Sequence, residues 1–248
     1  MPTQPVPLPD PDGPERIRQL LDLQRLELAE AMARKRLAAH PRELSTHLAL
    51  AEALGELSRH VEAVATAESA VGLALQSAPA HHRRAYHLSQ NGQLDEAIAA
   101  LHEVLRLHQH AFYFSYQAQL LLRREQHPAA LAAAKAGLRL EARYTGCLLW
   151  HALAHEALSH PQLADQDFQR LLALAPGEAV VHDRLGQTLL RRYQATEAAR
   201  HLAEALRLEP RWAPWLAPLL RQAWLWQDWP RWQASQQERY RAGLPNGK

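Results

Sequence analysis

Cysteine, lysine, asparagine and long apolar runs are scarce in this 248-residue chain, and each scarcity narrows what the protein can be. Cys147 is the only cysteine, so no disulfide can form within the chain and a reducing compartment is favoured. No run of 18 apolar residues occurs, so we expect no membrane-spanning helix. The first ten residues contain neither a basic segment nor an apolar one. We therefore expect no signal peptide and a cytoplasmic location.

The sequence also contains none of the short motifs that hold phosphates or carry an activated nucleophile. No Walker loop, GxGxxG or GxSxG pattern is present, and we predict neither catalysis nor a cofactor. The net charge is +2, although residues 182–248 carry 11 cations against 6 anions. This mild basic excess is too small to predict nucleic-acid binding, but it does hint at acidic partners.

The residues that are abundant favour helices. Ala, Leu, Arg, Gln and His dominate, while β-branched residues are few, and straight-chain residues lose little rotamer freedom in a helix. Six prolines fall within residues 1–14, which predicts a disordered leader over residues 1–13. We expect ordered structure over residues 14–242 and a flexible tail over 243–248.

Small and apolar residues recur along the chain at one fixed interval. One column consists of Ala29, Ala63, Ala97, Ala130, Ala164 and Ala198, spaced by 34 residues with a single step of 33. A second column, from Ile17 to Leu220, and a third, from Leu37 to Tyr240, share the same shortened step. Three columns with one common deletion indicate about seven copies of a single unit. The copies lie near 10–43, 44–77, 78–110, 111–144, 145–178, 179–212 and 213–242.

Each unit has the apolar pattern of two helices. In residues 179–210, Leu185, Gly186 and Leu189 share one face of a first helix, and Ala198 and Leu202 begin the face of a second. Pro210 follows the second helix, which it cannot continue. This unit resembles the tetratricopeptide repeat, a 34-residue helix–turn–helix with Leu-Gly in its first helix, Ala in its second and Pro at its end. The likeness is best in residues 92–107, 163–176 and 185–210.

The resemblance implies a fold and a binding surface. Tetratricopeptide proteins are all-α, right-handed superhelical solenoids that mostly bind peptides or helices of other proteins in a concave groove. The outward positions of the first helices would line that groove: His82, Arg83, Tyr86, Ser115, Tyr116, Gln119, Arg123, Trp150, Glu156, Asp183, Arg184, Gln187, Arg191, Arg221 and Trp224. Arginine guanidinium groups, side-chain amides and a few aromatic rings suit a peptide segment that is acidic or carries a carboxylate. The alternative is that these residues form an ordinary solvated helix face and bind nothing.

Two features offer candidate chemistry. His151 and His155 lie four residues apart on one helix, the spacing of a metal-binding pair, but both fall on inward-packing columns. Buried, hydrogen-bonded histidines therefore explain them without a metal. Histidines at helix ends, such as His81, are expected on the surface. Cys147 has no neighbouring cation in the sequence, so we expect a packed residue rather than a reactive thiol.

Tryptophan is concentrated near the C-terminal end. Six of the seven tryptophans are Trp212, Trp215, Trp224, Trp226, Trp229 and Trp232. They would close the core of the last repeat or form a docking surface. Trp224 and Trp226 are two residues apart and cannot share a helix face, and we expect Trp224 to be exposed. Asp228-Trp229-Pro230 is expected to open the final helix.

Taken together, these patterns predict a non-catalytic scaffold that binds a partner peptide or helix in its groove. Two alternatives stay open. One is a homo-oligomeric module that associates through the Trp-rich end, and the other is a metal- or thiol-dependent enzyme built on His151 and His155.

Overall fold

The computed structural model describes residues 13–226, and its regular elements in that range are all helical. The helices are α1 (Pro14–Asp22), α2 (Leu26–Ala39), α3 (Leu44–Glu56), α4 (His60–Leu73), α5 (Ala78–Gln90), α6 (Leu94–Leu107), α7 (Ala111–Arg123), α8 (His127–Leu140), α9 (Thr145–Ala157), α10 (Pro161–Leu174), α11 (Ala179–Arg191) and α12 (Ala195–Leu208). A short 3-10 turn (Pro210–Trp212) leads into α13, which runs over 213–226. Between residues 13 and 226 no strand occurs, so the predicted all-α class is confirmed.

The chain divides into two compact units, Met1–Trp150 and His151–Lys248, and the division falls within α9. In the first unit successive helices pack in chain order, from α1 against α2 to α7 against α8. First helices of neighbouring repeats also touch, as α3 does with α5. In the second unit α10 packs against α11 and α11 against α12. Within each unit, these helices thus pack mainly against their neighbours in sequence.

The alanine column forms the contact line between helices. Ala29, Ala63, Ala97, Ala130, Ala164 and Ala198 have no exposed surface. Ala118, Ala152 and Gly186, which belong to the second column and lie on first helices, are buried too. Helices approach this closely only where the contact residues are small. At Gly186 a Cβ atom would lie 2.8 Å from Leu202 Cγ, so α11 and α12 leave no room for a side chain there.

The turn between the two helices of a repeat has a backbone geometry that also recurs with the period. Residues with positive φ stand at Gln24, Ser58, Gly92, Glu125, Ser159 and Tyr193. At Ser58 the amide donates to Gly55 O at 2.9 Å, and the next amide, of Arg59, donates to Leu54 O at 2.8 Å. These are the paired bonds of a Schellman motif, which satisfies the last carbonyls of the first helix. Glycine fills only one of the six positions.

A histidine near the start of the first helix closes the loop between repeats. The ring Nε2 contacts a carbonyl six residues earlier in three places: His47 to Pro41 O at 2.9 Å, His81 to Leu75 O at 3.0 Å, and His182 to Pro176 O at 3.1 Å. Phe114 occupies the equivalent position in the fourth repeat. His81 and His182 are buried. The expectation of a surface location for His81 is wrong, because this side chain satisfies a loop carbonyl rather than facing water.

Some predicted features fall outside the described range. These are the leader over 1–13 apart from Gly13, the Asp228-Trp229-Pro230 helix start, Trp229, Trp232 and the tail over 243–248. Among residues 13–226, none of the helices is both long enough and apolar enough to cross a bilayer.

Candidate functional site

A pocket of about 340 Å³ opens on the first unit. Residues of α5 and α7, with one residue from the loop before α9, line it: His82, Arg83, Tyr86, Phe112, Ser115, Tyr116, Gln119 and Tyr144. Six of the eight are predicted groove residues. Because α5 and α7 are the first helices of adjacent repeats, side chains at matching repeat positions come together. The 34-residue period therefore assembles the pocket.

Aromatic rings shape the pocket around His82. The His82 ring centroid lies 5.3 Å from that of Phe112, 5.4 Å from that of Tyr113 and 5.8 Å from that of Tyr116. The Tyr116 hydroxyl lies 2.7 Å from Ser89 Oγ, a contact that fixes the ring across the two helices. Edge-to-face rings at these separations hold one another in place. The pocket is thus a preformed apolar surface with polar groups at its margin.

The electrostatics keep the interior of the pocket neutral. Burial, with a smaller effect from Arg83, lowers the pKa of His82 to about 4, so its ring is uncharged at neutral pH. Burial raises the pKa of Tyr116 to about 12, so its hydroxyl stays protonated. Arg83 donates from Nη2 to Glu52 Oε2 at 2.8 Å. The charge that the pocket presents to solvent is therefore small, and it lies at the edge of the pocket.

Two residues that line the pocket, Phe112 and Tyr144, were not among those predicted from the sequence. Phe112 lies three and four residues before Ser115 and Tyr116, so helical spacing alone could have placed it on the same face. It is 43% exposed, although it is a large ring. Tyr144 lies in the loop before α9, where no helical period applies, and no sequence signal could have found it.

The predicted groove residues outside the pocket have varied surroundings. Arg123 is exposed and donates from Nη2 to Ser89 O at 3.3 Å, while Trp150 is half-buried. On α11, Gln187 Nε2 donates to Asp183 Oδ1 at 2.6 Å, and Arg191 donates to Thr188 Oγ1 at 3.1 Å. Asp183 is buried, which corrects its assignment as an outward residue. Arg184 is half-buried and lies 3.8 Å from the same carboxylate.

Glu156 is also misassigned by the repeat pattern. Its carboxylate pairs with Arg192, which also donates from Nη1 to Asp165 Oδ1 at 2.6 Å. The Arg192 and Glu156 side chains are each only 16% exposed. Hydrogen bonds from Arg192 to these carboxylates, Glu156 first, raise the pKa of Arg192 above its ordinary value. The pair links α9 and α10 to the end of α11, so it is structural rather than available to a ligand.

Solved structures of other proteins share this arrangement of helices. The similar structures include a chain of the APC/C hetero-tetramer Cut9–Hcn1, with a TM-score of 0.69, 17% identity, and coverage of 87% of this chain and 44% of that one. A tetratricopeptide repeat protein from Parabacteroides merdae has a TM-score of 0.61 and 14% identity, covering 84% and 96%. YrrB, described as a TPR protein with an unusual peptide-binding site, has a TM-score of 0.52 and 18% identity, covering 72% and 92%.

The chain has the tetratricopeptide-repeat (TPR) fold. The predicted fold is therefore confirmed, although this chain spans less than half of the Cut9–Hcn1 chain that it matches. No protein-family model matches the sequence, and no curated protein matches it. At identities of 14–18%, the likeness establishes how the helices are arranged and leaves the ligand open.

The histidine pair of this TPR chain lies in the second unit. His151 Nδ1 contacts Asp167 Oδ2 at 2.6 Å, and the His151 and His155 rings lie 4.6 Å apart, edge to face. His155 is buried. Both histidines have polar neighbours, as predicted, but His151 is half-buried, with 18% of its side chain exposed, so the predicted burial holds only for His155. Asp167, the partner of His151, was not predicted, because it comes from the following helix, 16 residues after His151.

Cys147 is packed, as predicted. It has no exposed surface, and its thiol donates to Ala111 O at 3.3 Å. Burial raises the pKa of this thiol to about 12, so almost no thiolate forms at neutral pH. These surroundings disfavour nucleophilic chemistry at Cys147.

The described part of the Trp-rich end presents several rings to solvent. Trp224 is 55% exposed, which confirms its predicted exposure, and Trp215 and Leu225 are exposed as well. Tyr193 and Trp226 have ring centroids 5.3 Å apart. A shallow pocket on α13 includes Arg221, Leu225 and Trp226.

Proposed function

We propose that this chain is a protein-interaction scaffold, and that its α5–α7 pocket binds a segment of a partner protein. The observation that carries the proposal is the ring-lined pocket, in which Phe112 stays 43% exposed beside His82 and Tyr116. Exposed aromatic residues at the centre of a preformed concave surface are the usual anchors of protein interfaces. That YrrB, a protein of the same fold, has a peptide-binding site supports the proposal.

The surroundings of the pocket define the chemistry of the partner segment. The neutral ring of His82 and the rings of Phe112 and Tyr116 would receive an apolar or aromatic side chain. Arg83 and Arg123 flank this surface and would bind a carboxylate on the same segment. We therefore expect a peptide that carries an apolar anchor followed or preceded by an acidic residue.

The experiment is a selection of random peptides on the immobilised full-length chain, followed by affinity measurements on the winners. Phe112→Ala should weaken the selected peptides by about tenfold or more, because a buried ring contact contributes at least ~1.4 kcal/mol at a hot spot. Leu140→Ala is the matched control, since Leu140 is similarly exposed on α8 of the same unit but does not line the pocket.

Equal loss of affinity in both variants would contradict the pocket model, as would unchanged affinity in Phe112→Ala. Raising the salt concentration should weaken binding of acidic peptides more than that of their amidated analogues. If the affinities of the two peptide forms respond equally to salt, the role given to Arg83 and Arg123 is wrong.

A second candidate function is self-association through the C-terminal end. The observation that favours it is the exposure of Trp215, Trp224 and Leu225 near one another in sequence on α13. Large exposed apolar side chains in one short segment are typical of association surfaces. Light scattering of the intact chain measures its mass in solution. A dimer that dissociates in Trp224→Ala would favour this function, and a monomer at all concentrations would reject it.

A further inference from the structure

A compact group of nitrogen and oxygen donors lies inside the second unit. His151 and His155 come from α9, and Asp167 comes from α10. One donor atom from each residue lies within 4.8 Å of the other two. The His155 side chain is 8% exposed and Asp167 is 5% exposed. Asp167 Oδ1 also accepts a hydrogen bond from Arg170 at 3.4 Å, and His155 Nδ1 lies 3.5 Å from His160 Nδ1.

At two of the three positions, several other repeats carry apolar core residues. His155 stands where other repeats have Leu54, Leu88, Leu121 and Leu189, all of them buried. Asp167 stands where two of them have Ala100 and Ala133. Replacing buried Leu and Ala by His and Asp removes apolar burial and introduces groups that are costly to desolvate. His151, beside them, stands where other repeats have Leu50, Arg84, Gln117 and Leu185. Buried polar groups at two of the three contacting positions point to a role besides packing.

We propose that His151, His155 and Asp167 bind one divalent transition-metal ion, and that Zn²⁺ fits the donor set best. Two imidazoles and one carboxylate are one of the ligand sets that hold zinc in sites with three protein ligands, where water completes the tetrahedron. The i, i+4 spacing of the histidines places both rings on one face of α9, and α10 supplies the carboxylate from the facing helix. The softer ions Cu⁺ and Cd²⁺ prefer thiolate ligands, and Cys147 is not among the three residues of this group.

The geometry needs only a local adjustment. Zinc–ligand bonds of about 2.0–2.2 Å in a tetrahedron separate the ligand atoms by roughly 3.3 Å. His151 Nδ1 and Asp167 Oδ2 lie 2.6 Å apart, so these two atoms would separate by roughly 0.7 Å as the ion replaces the hydrogen between them. The donor atom of His155 lies within 4.8 Å of both, and it would approach them by up to roughly 1.5 Å through side-chain rotation.

The test uses the untagged full-length chain, dialysed against a chelator and titrated with Zn²⁺ in a calorimeter. One ion per chain is expected to bind in the micromolar range or more tightly. X-ray absorption at the zinc edge of the loaded chain should then show two imidazole ligands and no sulfur. Stoichiometric binding with that shell supports the site. Failure to bind at micromolar zinc, or a shell containing sulfur or fewer than two imidazoles, overturns it.

Variants locate the ion within the chain. His155→Gln and Asp167→Asn keep side-chain size and should each weaken zinc binding by about tenfold or more. His201→Gln is the control, because His201 forms another histidine contact, with His182, whose Nδ1 lies 3.0 Å away. Undiminished binding in the first two variants, or loss of binding in the control alone, overturns the assignment.

Circular dichroism checks that each variant folds. If a variant is unfolded, the zinc-edge spectrum of the natural chain decides the question by itself. The proposal is independent of the peptide-binding function, since no residue of the α5–α7 pocket takes part. Peptide affinities that fail the pocket test would leave the zinc result standing, and the reverse also holds.

Discussion

At the residue scale, buried histidine is the feature of this chain that most directly links sequence to stability. His87 on α5 is 1% exposed, and in the described structure neither of its ring nitrogens has a hydrogen-bond partner. Burial, together with the nearby Arg83, His60 and His82, lowers the pKa of His87 to about 4. The folded chain therefore holds this ring uncharged at a pH where the unfolded chain protonates it.

The direction in which stability changes with pH follows from the difference in proton binding between the folded and unfolded states. Between pH 6.5 and about 4 the unfolded state binds the proton and the folded state does not, so the free energy of unfolding falls as the pH falls through that window. We expect His87→Leu to reduce this loss between pH 7.5 and pH 5 by on the order of 1–2 kcal/mol. Urea denaturation of both proteins at the two pH values measures it. An equal loss in the variant would show that His87 does not contribute.

Two glycines give a second prediction at the residue scale, because one is tightly packed and the other, which serves as its control, is not. A Cβ at Gly186 would lie 2.8 Å from Leu202 Cγ, whereas a Cβ at Gly72 on α4 would meet nothing within 4 Å. Gly186→Ala should lower the free energy of unfolding by about 1–3 kcal/mol through overpacking. Gly72→Ala should raise it by about 0.5–1 kcal/mol, because alanine has the better helix propensity. If the two substitutions shift the denaturation midpoint in the same direction, the packing of α11 on α12 differs from that described.

At the element scale, the turn that joins the two helices of each repeat carries backbone strain in a regular pattern. Glu125 has a φ of 58°, and the Glu125 amide donates to Leu122 O at 3.0 Å. Gly92 occupies the equivalent position with a φ of 82°. A left-handed backbone costs about 1 kcal/mol for a residue with a Cβ and little for glycine.

Exchanging the two residue types tests this reading. Glu125→Gly should stabilise the chain by about 0.5 kcal/mol at most, because part of the relieved strain is offset by the greater freedom of glycine in the unfolded state. Gly92→Ala should destabilise it by about 1 kcal/mol. Thermal and urea denaturation report both changes. Stabilisation by Gly92→Ala would mean that this turn does not have the left-handed conformation.

Prediction from sequence succeeded for elements and failed where side chains from different elements meet. The alanine column and Gly186 were predictable because helix packing demands small residues at fixed intervals. The left-handed turn column was not, because Gln24, Ser58 and Tyr193 share no residue type, and hydrogen bonds set their conformation. Glu156 and Asp183 looked outward by period, but Glu156 is half-buried and Asp183 is buried, against partners that periodicity does not reveal. Phe112 was predictable from its spacing to Tyr116; Asp167, the partner of His151, was not.

At the scale of the whole molecule, the same pattern of helix packing recurs in each repeat, while the exposed surfaces differ from repeat to repeat. Each helix packs mainly on its sequence neighbours, so a substitution at one repeat position changes one surface and leaves the others intact. In the first unit, residues at such variable positions place aromatic rings between α5 and α7. In the second unit, such positions bring His151, His155 and Asp167 together. Neither arrangement disturbs the alanine contacts on which the fold depends.

The central claim is that the α5–α7 pocket is where a partner segment binds, and hydrogen–deuterium exchange on the full-length chain tests it most directly. The measurement compares the chain alone with the chain saturated by a selected peptide. Bound peptide should slow exchange in Ala78–Gln90 and Ala111–Arg123, and the slowing should disappear in Phe112→Ala but persist in Leu140→Ala. Protection confined to other segments, such as residues 213–226, would contradict the account and would place partner binding at the Trp-rich end.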